Sequence, residues 1–422
     1  MRRLLQLLLF LPVFLRPVAA PAASGPGEWL ADHDLELHGF VEARAGARLR
    51  DDPFEKDVSL AETRLQLDLN GDFTDVRLKI KGDLVGDAVT EEARAELREA
   101  SLLLAPLDLL DLKVGRQTLT WGTGDLLFIN DLFPKDWESF FIGRDDEYLK
   151  APTDALKAGL FFDRFNLDLV YVPLFNPSVH IDGSRLSYWN PSLARLAGRD
   201  AVLVDQAADR FPEDGEFALR LYRNIGGIET ALYGYRGFWK TPEGMDGATA
   251  RLIHPPLAVY GASVRGPLLG GIGNIEVGYY DSRDDREGDN PLLRNSEYRL
   301  LAGYEKELAS DFTGGVQYYL EWMRDYDLYR PAAAPFAKDE YRHVLTLRLT
   351  RLLLNQTLRL SFFAYYSPSD RDGFLRPAVH YKLTDRWAVT AGANIFPGSD
   401  DHTFFGQFKQ NDNVYAGLRR TW

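Results

Sequence analysis

From residue 34 onward, apolar and polar side chains alternate with a period of two. In Leu35 to Arg50, one parity carries Leu35, Leu37, Gly39, Val41, Ala43, Ala45, Ala47 and Leu49. The other carries Glu36, His38, Phe40, Glu42, Arg44, Gly46, Arg48 and Arg50. A strand with one apolar and one charged face reads this way. The pattern returns at Thr63–Leu69 and Val76–Leu84, then at Leu345–Thr350, Leu358–Ala364 and Trp387–Ile395.

Turn signals and long connections take turns along the chain. The short ones are Asn70-Gly71-Asp72, Pro106 to Asp111, Asp163-Arg164-Phe165, Asn224 to Gly227, Gly266 to Asn274, Glu307 to Asp311, Leu352 to Gln356 and Thr384-Asp385. The long ones are 122–154, 176–214, 240–256, 281–295, 325–339 and 397–412. Counting between them gives about 18 strands. A soluble sandwich would show strands of roughly five or six residues and no regular alternation of loop length. Most strands here run longer, and the long loops fall on one side of every hairpin. That layout predicts an all-β fold, a transmembrane antiparallel β-barrel with short periplasmic turns, long outer loops and a polar lumen. Only a helix or a closed barrel pairs every backbone group in lipid. Tyr279, Tyr304, Tyr318, Trp322, Tyr366 and Trp387 lie on the apolar parity near strand ends, where an interfacial girdle belongs.

The N-terminus reads as an export signal. Arg2 and Arg3 precede the apolar run Leu4 to Leu15, and small residues follow at Ala20-Pro21-Ala22-Ala23. Twelve apolar residues are too few to cross ~30 Å of hydrocarbon as a helix. The expected organisation is a signal peptide over 1–23, a short periplasmic segment over 24–33 and a barrel over 34–422. The last strand puts Val414, Ala416, Leu418 and Trp422 on one parity, resembling the terminal signal that barrel-assembly machinery reads. Arg420 occupies a normally apolar position in it, and the final residue is Trp rather than Phe.

Composition narrows the function. The 422 residues are 45% hydrophobic and 13% aromatic, and they include no cysteine. Disulfides, thiolate metal sites and cysteine nucleophiles are therefore excluded. Mean hydropathy is -0.26, and no long apolar run follows the N-terminus, so a polytopic helical membrane protein is excluded. The net charge is -13, which argues against nucleic acid as a partner. Removing Arg2, Arg3 and Arg16 from the 49 basic residues leaves 46 against 62 acidic.

The segregation of charge matters more. Lumen-parity cations are Arg44, Arg48, Arg64, Arg77, Lys79, Lys81, Arg94, Arg98, Lys113, Arg220, Arg348, Arg359, Arg376, Lys382 and Arg419. Lumen-parity acids are fewer: Glu36, Glu42, Glu62, Asp68, Asp83, Glu96, Glu276 and Glu321. Most other carboxylates lie in loops. Rings of Arg and Lys favour anions, so an acidic protein is expected to enclose a basic channel. The competing reading is a wall of cross-strand ion pairs around an unselective pore. No histidine pair has metal-ligand spacing, and no motif supports a nucleophile, so neither cofactor, metal nor enzymatic chemistry is expected.

Val114-Gly115-Arg116-Gln117, then Trp121-Gly122, then Asp131-Leu132-Phe133-Pro134 form one further signal. The segment resembles the Gly-Arg-Gln…Trp-Gly stretch of alginate-export-type outer-membrane porins and of a neighbouring uncharacterised porin family. The resemblance implies an outer-membrane channel, with acidic oligo- or polysaccharide as one candidate cargo and a periplasmic export partner. Physically, Arg116 breaks the alternation, because Leu110, Leu112 and Val114 share its parity. An arginine facing lipid would cost roughly 2–4 kcal/mol near the midplane. Gly115 could host a bulge that turns Arg116 inward. Arg116 then either contacts solute or pairs with Glu99 or Glu96, and Glu99 also sits on the nominally outward parity. The expected function is passive passage of small hydrophilic, anionic solutes. The alternative is a structural or receptor barrel plugged by loops 122–154 and 176–214 and gated by a periplasmic partner. A short helix is expected around Pro191 to Asp209.

Overall fold

The computed structural model describes Leu30, residues 33–249 and residues 251–422. The expected signal peptide and most of the segment 24–33 lie outside them. Eighteen antiparallel strands form one closed sheet. They are β1 Leu35–Arg48, β2 Val58–Phe73, β3 Val76–Asp87, β4 Glu92–Leu107, β5 Leu110–Gln117 and β6 Thr153–Phe161. Next come β7 Asn166–Val172, β8 Glu216–Ile225, β9 Ile228–Phe238, β10 Pro256–Leu268, β11 Gly271–Ser282 and β12 Glu297–Ala309. The last six are β13 Phe312–Met323, β14 Tyr341–Leu353, β15 Leu358–Ser367, β16 Asp372–Lys382, β17 Trp387–Asn394 and β18 Asn413–Thr421. Each strand pairs with its chain neighbours, and β18 closes on β1 from Phe40↔Thr421 to Arg48↔Asn413. No helix among the described residues is long and apolar enough to cross a membrane.

Short turns gather at one end of the barrel and long loops at the other, as the alternation of connection lengths requires. Two turns sit elsewhere than expected. Asn70-Gly71-Asp72 belongs to β2, and the chain reverses at Thr74-Asp75 because Phe73 still pairs with Val76. The turn expected across Gly266 to Asn274 is only Leu269-Gly270, with Leu268 paired to Gly271. Pro191 to Asp209 holds no helix. A two-strand hairpin, Tyr188–Asn190 with Arg195–Ala197, takes its place.

The apolar parity faces outward. Val41, Leu67, Leu84, Val277 and Leu347 stay exposed at mid-strand, where a hydrocarbon layer would cover them. Tyr260, Tyr279, Tyr298, Trp322 and Tyr341 are successive register partners across β10–β14. Their rings meet at 4.8 Å for Tyr279–Tyr298, 5.3 Å for Tyr298–Trp322 and 5.8 Å for Trp322–Tyr341. This row is a girdle at the long-loop rim. At the seam, Leu418 pairs between Ala43 and Val389. The Trp422 amide donates to Gly39 O at 3.2 Å. A Cβ at Gly39 would sit 2.7 Å from the Trp422 ring, so glycine makes room for it. Arg420 reaches the turn-side rim with its guanidinium 5.8 Å from the Trp387 ring centre, which lets a cation occupy an outward position.

The polar parity faces a lumen that is filled in its loop-side half. Ile129, Phe140, Phe141, Ile142 and Leu149 from one inserted loop pack against Leu60, Phe374, Phe396 and Phe408. Below that plug, inward charged residues near the turns remain exposed, Arg265, Arg359 and Glu305 among them. The lumen is therefore a cup that opens on the turn side.

Leu347→Arg should lower stability by about 2–4 kcal/mol, the cost of a cation near the bilayer midplane. Urea unfolding in phospholipid vesicles measures it. An unchanged midpoint would mean that this face does not meet lipid.

Candidate functional site

The site grows from the end of β5. Gln117 points inward, fully buried, and its amide donates to Ala155 O at 3.0 Å. Gly115 has φ 113°, a conformation that suits glycine, and a Cβ there would collide with Ala100 O. The expected inward turn of Arg116 does not occur. Arg116 stays on the outward parity beside exposed Val114 and makes a two-pronged pair with Asp154 of β6, at 2.9 and 2.7 Å. The pair sits where β5 meets the long loop, at the rim rather than the midplane, so the arginine needs no bulge to escape lipid. The bulge lies instead in β4, where the register slips between Lys81 and Gly82. It turns Glu99 inward, where it accepts from Lys113 at 2.7 Å. Neither Glu99 nor Glu96 partners Arg116.

The rest of the motif builds the plug. Loop 118–152 leaves β5, crosses the lumen and returns at β6. Trp121 packs edge-on against Phe133 at 5.0 Å. Gly122, at φ 81°, lies so close to Glu276 of β11 that a Cβ would come within 2.8 Å of the carboxylate. Glu276 is 1% exposed and holds the loop by four hydrogen bonds. It accepts from the Thr123 amide at 2.6 Å and hydroxyl at 3.0 Å, and from the Asn130 amide at 2.8 Å and side chain at 3.0 Å. Asp131 pairs with buried Lys135 at 2.9 Å, and Pro134 follows Phe133 into the core. Burial lowers the Lys135 pKa, and Asp131 opposes that shift. Asp136 then caps the short helix α1, Trp137–Ile142, which ends at left-handed Gly143.

The loop meets the wall on nearly every side. Asp125 pairs with Arg348 of β14, and Asp146 with Arg376 of β16 at 2.9 Å. Asp145 lies 3.3 Å from Arg419 and 3.6 Å from Arg44, and Glu147 lies 3.6 Å from Lys81. Arg98 donates to two loop carbonyls, Glu147 O and Lys150 O. In the other direction, Arg144 of the loop forks onto Glu62 of β2 at 3.0 Å. Burial works against the Asp146 carboxylate, but Arg376 holds its pKa below the ordinary value.

Most of the expected pore cations therefore face the lumen already paired. Arg44 pairs with Glu42, Arg64 with Asp83, and Arg94 with Glu96 at 2.6 Å. Arg48 donates to Arg185 O at 2.6 Å, Lys79 lies 3.9 Å from both Asp68 and Glu99, and Arg77 lies 3.5 Å from Asp72. Lys113 is held by Glu99. Loop 173–215 adds Arg185, fully buried and paired with Asp87. Among the described residues, the inward side chains of Arg359 of β15 and Lys382 of β16 make no ion pair or hydrogen bond, although the Lys382 amide donates to Thr357 O. Inward Arg265 shares that unpaired state, because its register partner Glu229 is taken by Arg220 at 2.8 Å; alternation in β10 would have placed it in the lumen.

Glu276→Ala should free loop 118–152 while leaving the barrel intact. Hydrogen bonds to a charged group contribute about 1.5–3 kcal/mol each, so losing four should raise loop opening more than roughly tenfold. Trypsin applied to the bilayer-inserted protein should then cut at Lys135 and Arg144, which are buried otherwise. Continued resistance would show that Glu276 is not the anchor.

No family model and no curated protein matches this chain, so its resemblance to alginate-export-type porins is carried by the motif segment alone. Solved structures do match. Pseudomonas aeruginosa OpdQ is 12% identical with a TM-score of 0.55, covering 92% of this chain and 98% of that one. Acinetobacter baumannii OccAB1 is 8% identical with a TM-score of 0.54, over 92% and 96%. Pseudomonas aeruginosa OccD3 is 9% identical with a TM-score of 0.53, over 92% and 90%. At these identities the likeness is one of fold, and the fold is that of the Occ/Opd outer-membrane porins.

Proposed function

We propose that this chain is an outer-membrane porin that passes small hydrophilic, anionic solutes passively. The observation that carries the reading is the pair of unpartnered inward cations, Arg359 and Lys382. They stand on adjacent strands beside His380, which pairs with Arg359 in register. All three face the open, turn-side half of the lumen. An anion entering there meets cations whose charge no neighbour has neutralised, then Arg376, Arg348 and Arg419 around loop 118–152. Unpaired cations on a low-dielectric wall raise the local concentration of anions at its mouth, against the opposing charge of exposed inward Glu305. The role is conduction, with no covalent step.

The outward apolar band supports outer-membrane lipid as the surroundings, and the Leu418–Trp422 end supports handling by barrel-assembly machinery. Acidic oligo- or polysaccharide is the larger anion to which the reading extends, through the motif's resemblance to alginate-export-type porins. One observation favours a second reading. Loops 118–152 and 173–215 fill the loop-side half of the lumen, as a plugged structural or receptor barrel gated by a periplasmic partner would require.

Single-channel recording in a planar bilayer under a salt gradient decides between them. The open reading expects steady anion-selective steps. Arg359→Gln with Lys382→Gln should cut the anion-to-cation permeability ratio by roughly twofold or more. Cation selectivity in the unaltered protein would end the anion reading, and silence from a folded barrel would favour the plug.

A further inference from the structure

Loop 173–215 crosses the outer mouth and is fastened on both flanks. On one flank, Asp205 Oδ2 lies 2.7 Å from His254 Nε2, in the loop between β9 and β10. In the middle, Arg185 reaches Asp87 of β3 and Glu138 of α1, the latter at 3.2 Å. On the other flank, Arg199 Nε donates to Glu55 Oε2 at 3.0 Å, in the loop between β1 and β2.

The last contact is unlike the others. The Glu55 side chain is 1% exposed, yet its Oε1 has no hydrogen-bond partner. That oxygen presses on the loop 173–215 backbone, where a Cβ at Gly198 would come within 2.6 Å. The surroundings share the deficit. Nε and Nη1 of Arg48 and Oδ2 of Asp52 are also buried and unpartnered, with Arg48 and Asp52 3.9 Å apart. A carboxylate enclosed in this way bears a charge that its partners only half satisfy.

We propose that the Glu55–Arg199 contact is a proton-operated clasp that holds loop 173–215 over the outer mouth, closing more firmly when Glu55 is neutral. The charged groups facing Glu55 are Arg199 from loop 173–215, Arg48 from β1 and Asp52 from its own loop, with Arg185 acting on Arg48 behind them. Lys56 turns away to Glu91 and Val89 O. Burial pushes Glu55 up to about 7, against the pull of Arg199 and Arg48, with Asp52 adding to the rise. Released into water, the group would return to ~4.3. The closed arrangement therefore binds the proton more tightly than the open one. Its added stability is complete below ~4.3, is lost progressively as pH rises from there to about 7, and does not change further above that value. The clasp stands on these contacts alone, and only its effect on permeation rests on the channel reading.

The chain has no cysteine, so spin labels can be placed cleanly at Pro53→Cys and Val202→Cys, both exposed, in the full bilayer-inserted protein. The expected label-to-label distance distribution is narrow at about pH 4.5 and gains a longer population by about pH 8, with the change falling between ~4.3 and about 7. Glu55→Gln, which keeps the shape without the charge, should stay narrow at both. In parallel, conductance should fall on acidification and stay low at all pH in Glu55→Gln. Distances that ignore pH in the unaltered protein, or still respond to it in Glu55→Gln, would overturn the clasp even if current responds. Distances that respond without current at any pH would uphold the clasp and end the channel reading.

Discussion

Everything in this molecule depends on the closure of β18 onto β1. A sheet in hydrocarbon cannot leave an edge, since each unpaired amide or carbonyl there has no water to turn to. The nine register pairs from Phe40↔Thr421 to Arg48↔Asn413 remove the two edges that eighteen strands would otherwise expose. Once the sheet is closed, the pleat settles the rest. One parity must meet lipid and be apolar, and the other must face inward and can carry charge. The seam itself depends on small residues. Gly39 admits the Trp422 ring, so the end of the chain ties into the wall at the rim where both termini of the barrel lie.

A barrel of this size encloses more space than wall side chains can fill, and the loops supply the difference. Loop 118–152 brings its own apolar residues, so the plug has a hydrophobic core of its own inside a charged cylinder. That core would not stay in register without polar anchors around its edge. Glu276 receives four donors from it, Glu62 receives Arg144, and wall arginines receive Asp125, Asp145 and Asp146. Buried ions of this kind are retained only when paired and hydrogen-bonded. The basic inner surface is therefore largely spoken for by the protein's own carboxylates. What remains for a solute is the short list of cations that the loops do not reach.

The same accounting explains why loop positions carry the interest. Strand residues on both faces are fixed by pleat and register. Asp205–Gln206 of loop 173–215 pair by backbone with Leu252–Ile253, but other loop contacts run through side chains, as at Arg199 with Glu55. Such contacts can open without breaking a single ladder hydrogen bond. Regulation of access can thus be added to the barrel without cost to its integrity in the membrane.

The fold was legible because alternation of period two is a local property. Each strand states its outward and inward faces in its own residues, and the lengths of the connections state which end of the barrel they occupy. Every lumen-parity acid read from the sequence does face inward, Glu62 and Glu276 included. Parity reading failed wherever one residue was added or a loop intervened. The bulge at Arg98 reversed Glu99, and no local signal marks it. Arg116 was misjudged because its depth in the membrane depends on where β5 stops, and its partner Asp154 lies across a 35-residue excursion. The anchoring role of Gly122 and Glu276 was equally hidden, since the two are brought together only by the loop's path. Sequence alone determined the barrel, its orientation of faces and its charged interior, because these follow from nearest-neighbour chemistry. Tertiary structure alone decided which of those charges are free, because pairing across the lumen depends on distances between segments that no periodicity encodes.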